Sequence, residues 1–465
     1  MTSDTNSAAV TRSLTEAGAE AGSRGSSDGK QFRPVGRTQG MNVRSVESLT
    51  PEEREALFDR DAGVDAVRDD VRGILDRVRT EGDVALRSFA EEFDGVSVGN
   101  IDASDEAERA YDAIDDDVRT AIEEAAANIR AFHERQLPED WLTEVTDGRE
   151  LGRRFTPVES AGVYAPGGTA AYPSSVLMGV LPAKVAGVEH VAVATPPAEN
   201  IPEATLAAAH VAGADAIYQI GGAQAIGALA FGTETVSPVD KVVGPGNKYV
   251  TAAKAEVRDD VAIDFLAGPS EVLVVADATA DPDAVAADLV AQAEHDPAAS
   301  VVCVTDDGET AEAVADAVEA HAEGREREET IRAALENDAS GVFRTRSLSE
   351  AVLFAESYAP EHLSVQAEDA EELLDRVPSA GSAFLGRDSP VAAGDYATGT
   401  NHVLPTGGGA RVFGGLSVDT FLRSTTVQRL SVDALGDLRE TVTTLADVEG
   451  LEAHAHSVDV RFDDE

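Results

Sequence analysis

From about residue 64, Val64, Val67, Val71, Ile74, Leu75 and Val78 recur at steps of three and four, which predicts one face of an amphipathic helix. Val118, Ile122, Ala125, Ile129 and Phe132 repeat the pattern, so the chain reads as mostly helical up to about residue 150. The middle of the chain changes character. Val191-Ala192-Val193-Ala194, Ala216-Ile217-Tyr218-Gln219-Ile220, Val272-Leu273-Val274-Val275 and Val301-Val302-Cys303-Val304 are apolar runs of strand length. They alternate with Ala-rich helical stretches such as 202–213 and 282–293. Fully apolar strands separated by helices predict parallel sheets covered on both faces. The expectation is an α/β protein with more than one doubly wound unit.

Residues 1–40 are rich in Ser, Thr, Gly and Ala, have no sustained period and read as a disordered tail. A small helical segment is expected over 41–60. Residues 61–163 with 270–415 are assigned to a first α/β domain, and 164–269 to a second that carries glycine loops. The acidic, Ala-rich stretch 306–339 reads as a solvated helical region. Residues 416–465 begin with Leu416, Val418 and Phe421 and read as a small, helical C-terminal appendage.

Charge narrows the function. The chain has 86 acidic and 37 basic residues, a net charge of -49, which repels phosphate backbones and argues against nucleic-acid binding. Lysine is confined to Lys30, Lys184, Lys241, Lys248 and Lys254. So acidic a surface suits molar salt, where screening removes most self-repulsion. The lone Cys303 allows no intramolecular disulfide and no thiolate metal cluster, and its apolar surroundings predict a buried thiol. No secretion signal and no run of about 20 apolar residues is found, so a soluble, cytoplasmic protein without a membrane span is expected.

Glycine and proline gather at Tyr164-Ala165-Pro166-Gly167-Gly168-Thr169, Gly221-Gly222-Ala223-Gln224, Gly244-Pro245-Gly246-Asn247 and Gly268-Pro269-Ser270. Each borders a strand-like run. Together they suggest a ligand crevice outside the carboxyl ends of strands, although any one of them suits an ordinary turn. Neither the glycine fingerprint of dinucleotide folds nor a phosphate-binding P-loop occurs. Gln292 and His295 stand three apart at the end of a helix stopped by Pro297, where an oxygen and a nitrogen donor on one face suit zinc. By spacing alone this signal is weak, and a packed or solvated imidazole is the ordinary reading. Glu361-His362 offers two proton-transfer groups of different affinity, or simply a surface loop. Asp395 lies in the glycine-framed loop 394–402 as a metal carboxylate or a turn residue. Glu449, His454 and His456 stand near the C-terminus, where such groups are usually solvated.

In this combination and order, these segments resemble the histidinol dehydrogenases, from about residue 41 to the C-terminus. Further segments that carry the resemblance are Gly162-Val163-Tyr164, Pro173-Ser174-Ser175-Val176-Leu177-Met178 and Ala359-Pro360-Glu361-His362-Leu363. The resemblance implies two doubly wound, incomplete Rossmann-like parallel-sheet domains with helical N-terminal and C-terminal extensions. It implies an NAD-dependent zinc enzyme that oxidises L-histidinol to L-histidine via L-histidinaldehyde. Gln292, His295, Asp395 and His454 match the zinc ligands, and Glu361 and His362 match the acid/base pair. Ser270 and Glu449 match groups that hold histidinol, and Tyr164, Gln224 and Asn247 match the NAD contacts. A homodimer is implied, whose crossing C-terminal segment supplies Glu449 and His454. Without the resemblance, the same donors with a nearby Glu also suit metal-assisted hydrolysis.

Overall fold

In the computed structural model, which describes residues 41–60, 62–167 and 171–462, Val272, Val274 and Ala276 enter one buried apolar cluster while Leu273 and Val275 enter another. Successive side chains of a strand point to opposite faces, so this strand is covered on both sides. Val301 and Cys303 part from Val302 and Val304 in the same way, as Val191 and Val193 part from Ala192 and Ala194. The molecule is α/β, with two doubly wound parallel sheets and a third, antiparallel one. The expected tail, residues 1–40, lies outside the described residues.

The larger sheet contains β1 (Val43–Ser45), β9 (Glu271–Ala276), β10 (Ser300–Thr305), β11 (Gly341–Arg344), β12 (His362–Gln366) and β13 (Ser382–Leu385). Its order is β1-β11-β10-β9-β12-β13, every pair parallel. Helices Pro282–Ala293, Gly308–Ala322 and Glu328–Glu336 cover one face, and Pro51–Phe58 and Leu348–Tyr358 cover the other. Their starts follow from local chemistry. Thr50 and Glu53 form a reciprocal capping box with Pro51 at the first helical position, and the Asp307 carboxylate accepts from the Thr310 N–H. The second parallel sheet contains β4 (Ser160–Tyr164), β5 (His190–Thr195), β6 (Ala216–Gln219), β7 (Lys241–Val243) and β8 (Ala262–Ile263), in the order β6-β5-β4-β7-β8. The antiparallel sheet contains β2 (Trp141–Thr146), β3 (Arg149–Pro157) and β14 (Leu422–Leu430), in the order β14-β3-β2.

The assignment of 61–163 to the domain of 270–415 is corrected. Helix Val64–Glu81 packs Val67, Val71, Ile74, Leu75 and Val78 into the cluster that holds Tyr164, Ala192 and Ala194, and β4 is the central strand of the five-stranded sheet. Periodicity marks a buried helical face without saying which sheet it meets. The segment 41–60 is not only helical, because β1 pairs with β11. Residues 141–157 form a hairpin rather than a helix, turning at Asp147-Gly148 with Gly148 at φ +70°. Asp-Gly following Val145-Thr146 is a hairpin signal. The appendage likewise opens with a strand, β14, before helices Val432–Val448 and Glu452–Asp459. The stretch 306–339 is not merely solvated, since Val314, Val318 and Ile331 are buried against the larger sheet. Helix Asp116–Glu134 buries Ile122, Ala126, Ile129 and His133, leaving Val118 and Phe132 exposed. Cys303 is buried, as its apolar flanks predict, and the thiol is pushed up to about 12 by that burial. Among the described residues no helix is long and apolar enough to cross a membrane.

Candidate active site

β12 begins at His362, which pairs with Val272 of β9 on one side and Ser382 of β13 on the other. Glu361 and Ser270 immediately precede these strands. The glycine rule for carboxyl ends therefore fails in the larger sheet: its chemistry-bearing residues head the strands. Glu361 and His362 are both buried. The Glu271 N–H donates to Glu361 Oε2 at 2.7 Å, and His362 Nδ1 donates to the Glu271 carbonyl oxygen at 2.9 Å. A carbonyl only accepts, so the proton of a neutral His362 sits on Nδ1 and Nε2 keeps its lone pair. Nε2 is buried, has no hydrogen-bond partner among the described residues, and faces Asp395 Oδ1 at 3.6 Å. Glu361 Oε2 is 3.5 Å from His362 Nδ1. Burial opposes charge on His362, but the Glu361 and Asp395 carboxylates outweigh it and hold the imidazole well above its ordinary value.

Asp395 comes from helix Val391–Tyr396, which lies along helix Pro282–Ala293. On that seam burial pushes the Asp288 carboxyl up to about 6. Gln292 is one turn further on and buried, and His295 follows the helix end with its side chain exposed. Burial works to raise the Asp395 carboxyl, yet His362 beside it, with His402 and His295 at longer range, keeps it below its usual value. The structure thus brings Gln292, His295, Asp395, Glu361 and His362 to one region, with Ser270 at its edge.

Sequence reasoning missed His402. Its Nδ1 donates to the Asp395 carbonyl oxygen at 2.9 Å and its Nε2 lies 3.3 Å from Ser175 Oγ. Asn401 Nδ2 donates to the Met178 carbonyl oxygen at 2.8 Å. These bonds fasten the loop behind Asp395 to helix Pro173–Ala186. The glycine frame of 394–402 was the available signal. His133 is packed: its Nδ1 bonds the Ile129 carbonyl oxygen at 2.7 Å.

The glycine loops obey the carboxyl-end rule in the five-stranded sheet. They follow β4, β6 and β7, where β4 and β7 flank the reversal of strand order. Tyr164 is buried and its hydroxyl accepts from the Gly222 N–H at 3.1 Å, while burial lifts the phenol to about 12. Gln224 is buried in the helix that Gly222 opens. Asn247 caps helix Lys248–Glu256, accepting from the Tyr249 and Val250 N–H groups. Gly244 has φ +115°, and a Cβ there would overlap the Tyr164 carbonyl oxygen. Its N–H donates to Asp264 Oδ2 and its carbonyl accepts from Lys254 Nζ, both at 2.9 Å. Lys254 and Asp264 form a fully buried ion pair that clasps this loop.

Glu449 and His454 stand apart. Both are exposed in the arm made by β14 and the two helices after it. Among the described residues of one chain, no three His, Cys, Asp or Glu side chains converge to hold a metal ion. The arm and hairpin leave Trp141, Leu142, Val145, Leu445, Val448 and Leu451 exposed.

Comparison with known proteins is specific. The family model described as histidinol dehydrogenase matches residues 59–462. The chain is 75% identical over 423 residues to the histidinol dehydrogenase of Haloarcula marismortui, covering 91% of this chain and all (100%) of that one. It is 48% identical over 426 residues to that of Methanosarcina mazei, covering 91% and 98%. The crystal structure of histidinol dehydrogenase from Elizabethkingia anophelis superposes with a TM-score of 0.86 at 38% identity, covering 92% of this chain and 99% of that one.

Proposed function

The chain belongs to the histidinol dehydrogenase family, and from that premise we propose that it oxidises L-histidinol to L-histidine through L-histidinaldehyde, with two NAD. Family membership makes it an oxidoreductase of histidine biosynthesis. The observation that carries the finer reading is the buried Glu361–His362 pair beside Asp395, on the seam that bears Gln292 and His295.

An amide oxygen, an imidazole and a carboxylate are mixed donors of the kind zinc accepts. Bound by Gln292, His295, Asp395 and His454 of the partner subunit, zinc would supply a template that fixes the amino alcohol and removes orientational entropy. NAD, contacted by Tyr164, Gln224 and Asn247, would supply the hydride acceptor. Ser270, with Glu449 of the partner subunit, would hold the substrate. The chain's own groups manage the protons. His362 Nε2 takes the hydroxyl proton as the alcohol carbon loses hydride. Glu361 then removes a proton from water as it adds to the aldehyde, and His362, once its first proton has passed to solvent, takes the hydroxyl proton of the resulting hydrate in the second oxidation. The exposed apolar residues of hairpin and arm support a second copy of the chain as their cover, which is how Glu449 and His454 would reach the seam.

The test is direct. Protein, zinc, L-histidinol and NAD are mixed and nicotinamide absorbance is followed. Two NADH per histidinol are expected; one or none defeats the proposal. Glu361→Gln should impair aldehyde oxidation about tenfold or more beyond its effect on alcohol oxidation. Equal losses with the two substrates, assayed separately, would remove Glu361 from water activation.

A further inference from the structure

Arg60 lies in the short link after helix Pro51–Phe58, and its side chain is 5% exposed. Its guanidinium stacks on the Tyr358 ring, 3.6 Å from the centroid. Nη2 donates to the Tyr358 carbonyl oxygen at 2.6 Å, and Nη1 donates to Glu271 Oε2 at 2.5 Å. The Glu271 side chain is 1% exposed, and its other oxygen accepts from the Gly407 N–H at 2.6 Å. Glu271 in turn meets the proposed proton-transfer pair at three points. Its N–H holds the Glu361 carboxylate, its carbonyl holds His362 Nδ1, and its Oε2 accepts from the Glu361 N–H at 3.4 Å.

The turn into this pair is strained. Among the described residues, Ala359 is the non-glycine residue with positive φ, at +51°, and it precedes Pro360, a context that favours extended backbone. Such a conformation persists when its surroundings over-determine it. Arg60 grips the carbonyl on one side of Ala359 and, through Glu271, the residues on the other.

Resting on the roles proposed above for Glu361 and His362, we propose that Arg60 is a positioning residue: through Glu271 and the Tyr358 carbonyl it fixes both side chains in the geometry that moves protons. A buried ion pair contributes little net stability compared with apolar residues of similar shape. What the forked, planar guanidinium adds is a fixed angle between two backbone segments.

Arg60→Met alone strands the Glu271 charge in the interior and threatens folding. The deciding variant is therefore the double substitution Arg60→Met, Glu271→Gln, assayed as full chain with zinc. We expect native circular dichroism and zinc content, kcat lower by about 10- to 100-fold, and KM for histidinol and NAD within about twofold. The solvent deuterium isotope effect on kcat should rise, since proton transfer becomes more limiting; this ratio does not depend on how much of the sample is folded. Arg60→Lys keeps the charge but loses the fork and the stacking, and should regain part of kcat. Unchanged kcat and isotope effect in the folded double variant overturn the proposal, as does a kcat loss with an unchanged isotope effect. Should the double variant not fold, Arg60→Lys decides by the same two readings. His362→Ala is run alongside. If it loses turnover while the double variant keeps it, only the role of Arg60 falls; if it keeps turnover, the roles assigned to the pair fall first.

Discussion

Replacing His362 by alanine is expected to lower kcat by about 100- to 10,000-fold while leaving zinc bound, the range a positioned general base contributes. The imidazole is buried, held by the Glu271 carbonyl through Nδ1, and directs Nε2 toward Asp395. His402 is already engaged: it spends its Nδ1 on the Asp395 carbonyl oxygen and is backed by Ser175. His295→Ala should behave in the opposite sense. That side chain is exposed on the seam and makes no hydrogen bond to Glu271, Glu361 or His362, so zinc content should fall first and activity with it. Turnover in the two variants is compared with zinc measured by atomic absorption. A loss below about tenfold in His362→Ala, or full zinc in His295→Ala, would separate the chemistry from these residues.

Dilution from molar salt to about 0.1 M is expected to unfold the chain or separate the proposed dimer. With a net charge of -49, the compact state carries strong self-repulsion. At about 1 M the screening length is roughly 3 Å, and at 0.1 M roughly 10 Å, so neighbouring surface carboxylates begin to interact. Several of the described cations are already engaged: Arg332 lies between Glu319 and Glu328, and Arg346 between Glu47 and Glu350. Many acids, among them Asp69 and Asp116, are almost fully exposed. Circular dichroism and light scattering against KCl concentration, with sucrose as an uncharged control, give the measurement. Retained structure and activity without salt would contradict the reading of the surface.

The fold class was legible because apolar strands buried on both faces cannot belong to anything but covered sheets. The helix over 64–78 was legible for the same kind of reason. Its sheet was not, because a helical stripe records burial and not the neighbour, and β4 sits between β5 and β7, both of which come later in the sequence. The hairpin at 141–157 and strand β14 were missed because their side chains are mostly exposed, so no apolar run announces them. At the site, Gln292, His295, Asp395, Glu361 and His362 were each weak by spacing and became strong only through the order of segments. Arg60 and Glu271 were invisible in that way. Their partners lie 211 and 90 residues away in the chain, and nothing local marks a guanidinium that will be buried.

The pair Glu361–His362 heads an inner strand of one sheet, whereas the glycine loops trail the strands of the other. Each group is braced by its own layer: Arg60 and Glu271 on one side, Lys254 and Asp264 on the other. A small slide of one layer over the other would therefore alter the gap between them while both ends stay intact. If NAD binds beside the glycine loops, as proposed, such a slide would let it be traded with the proton-handling end left at rest.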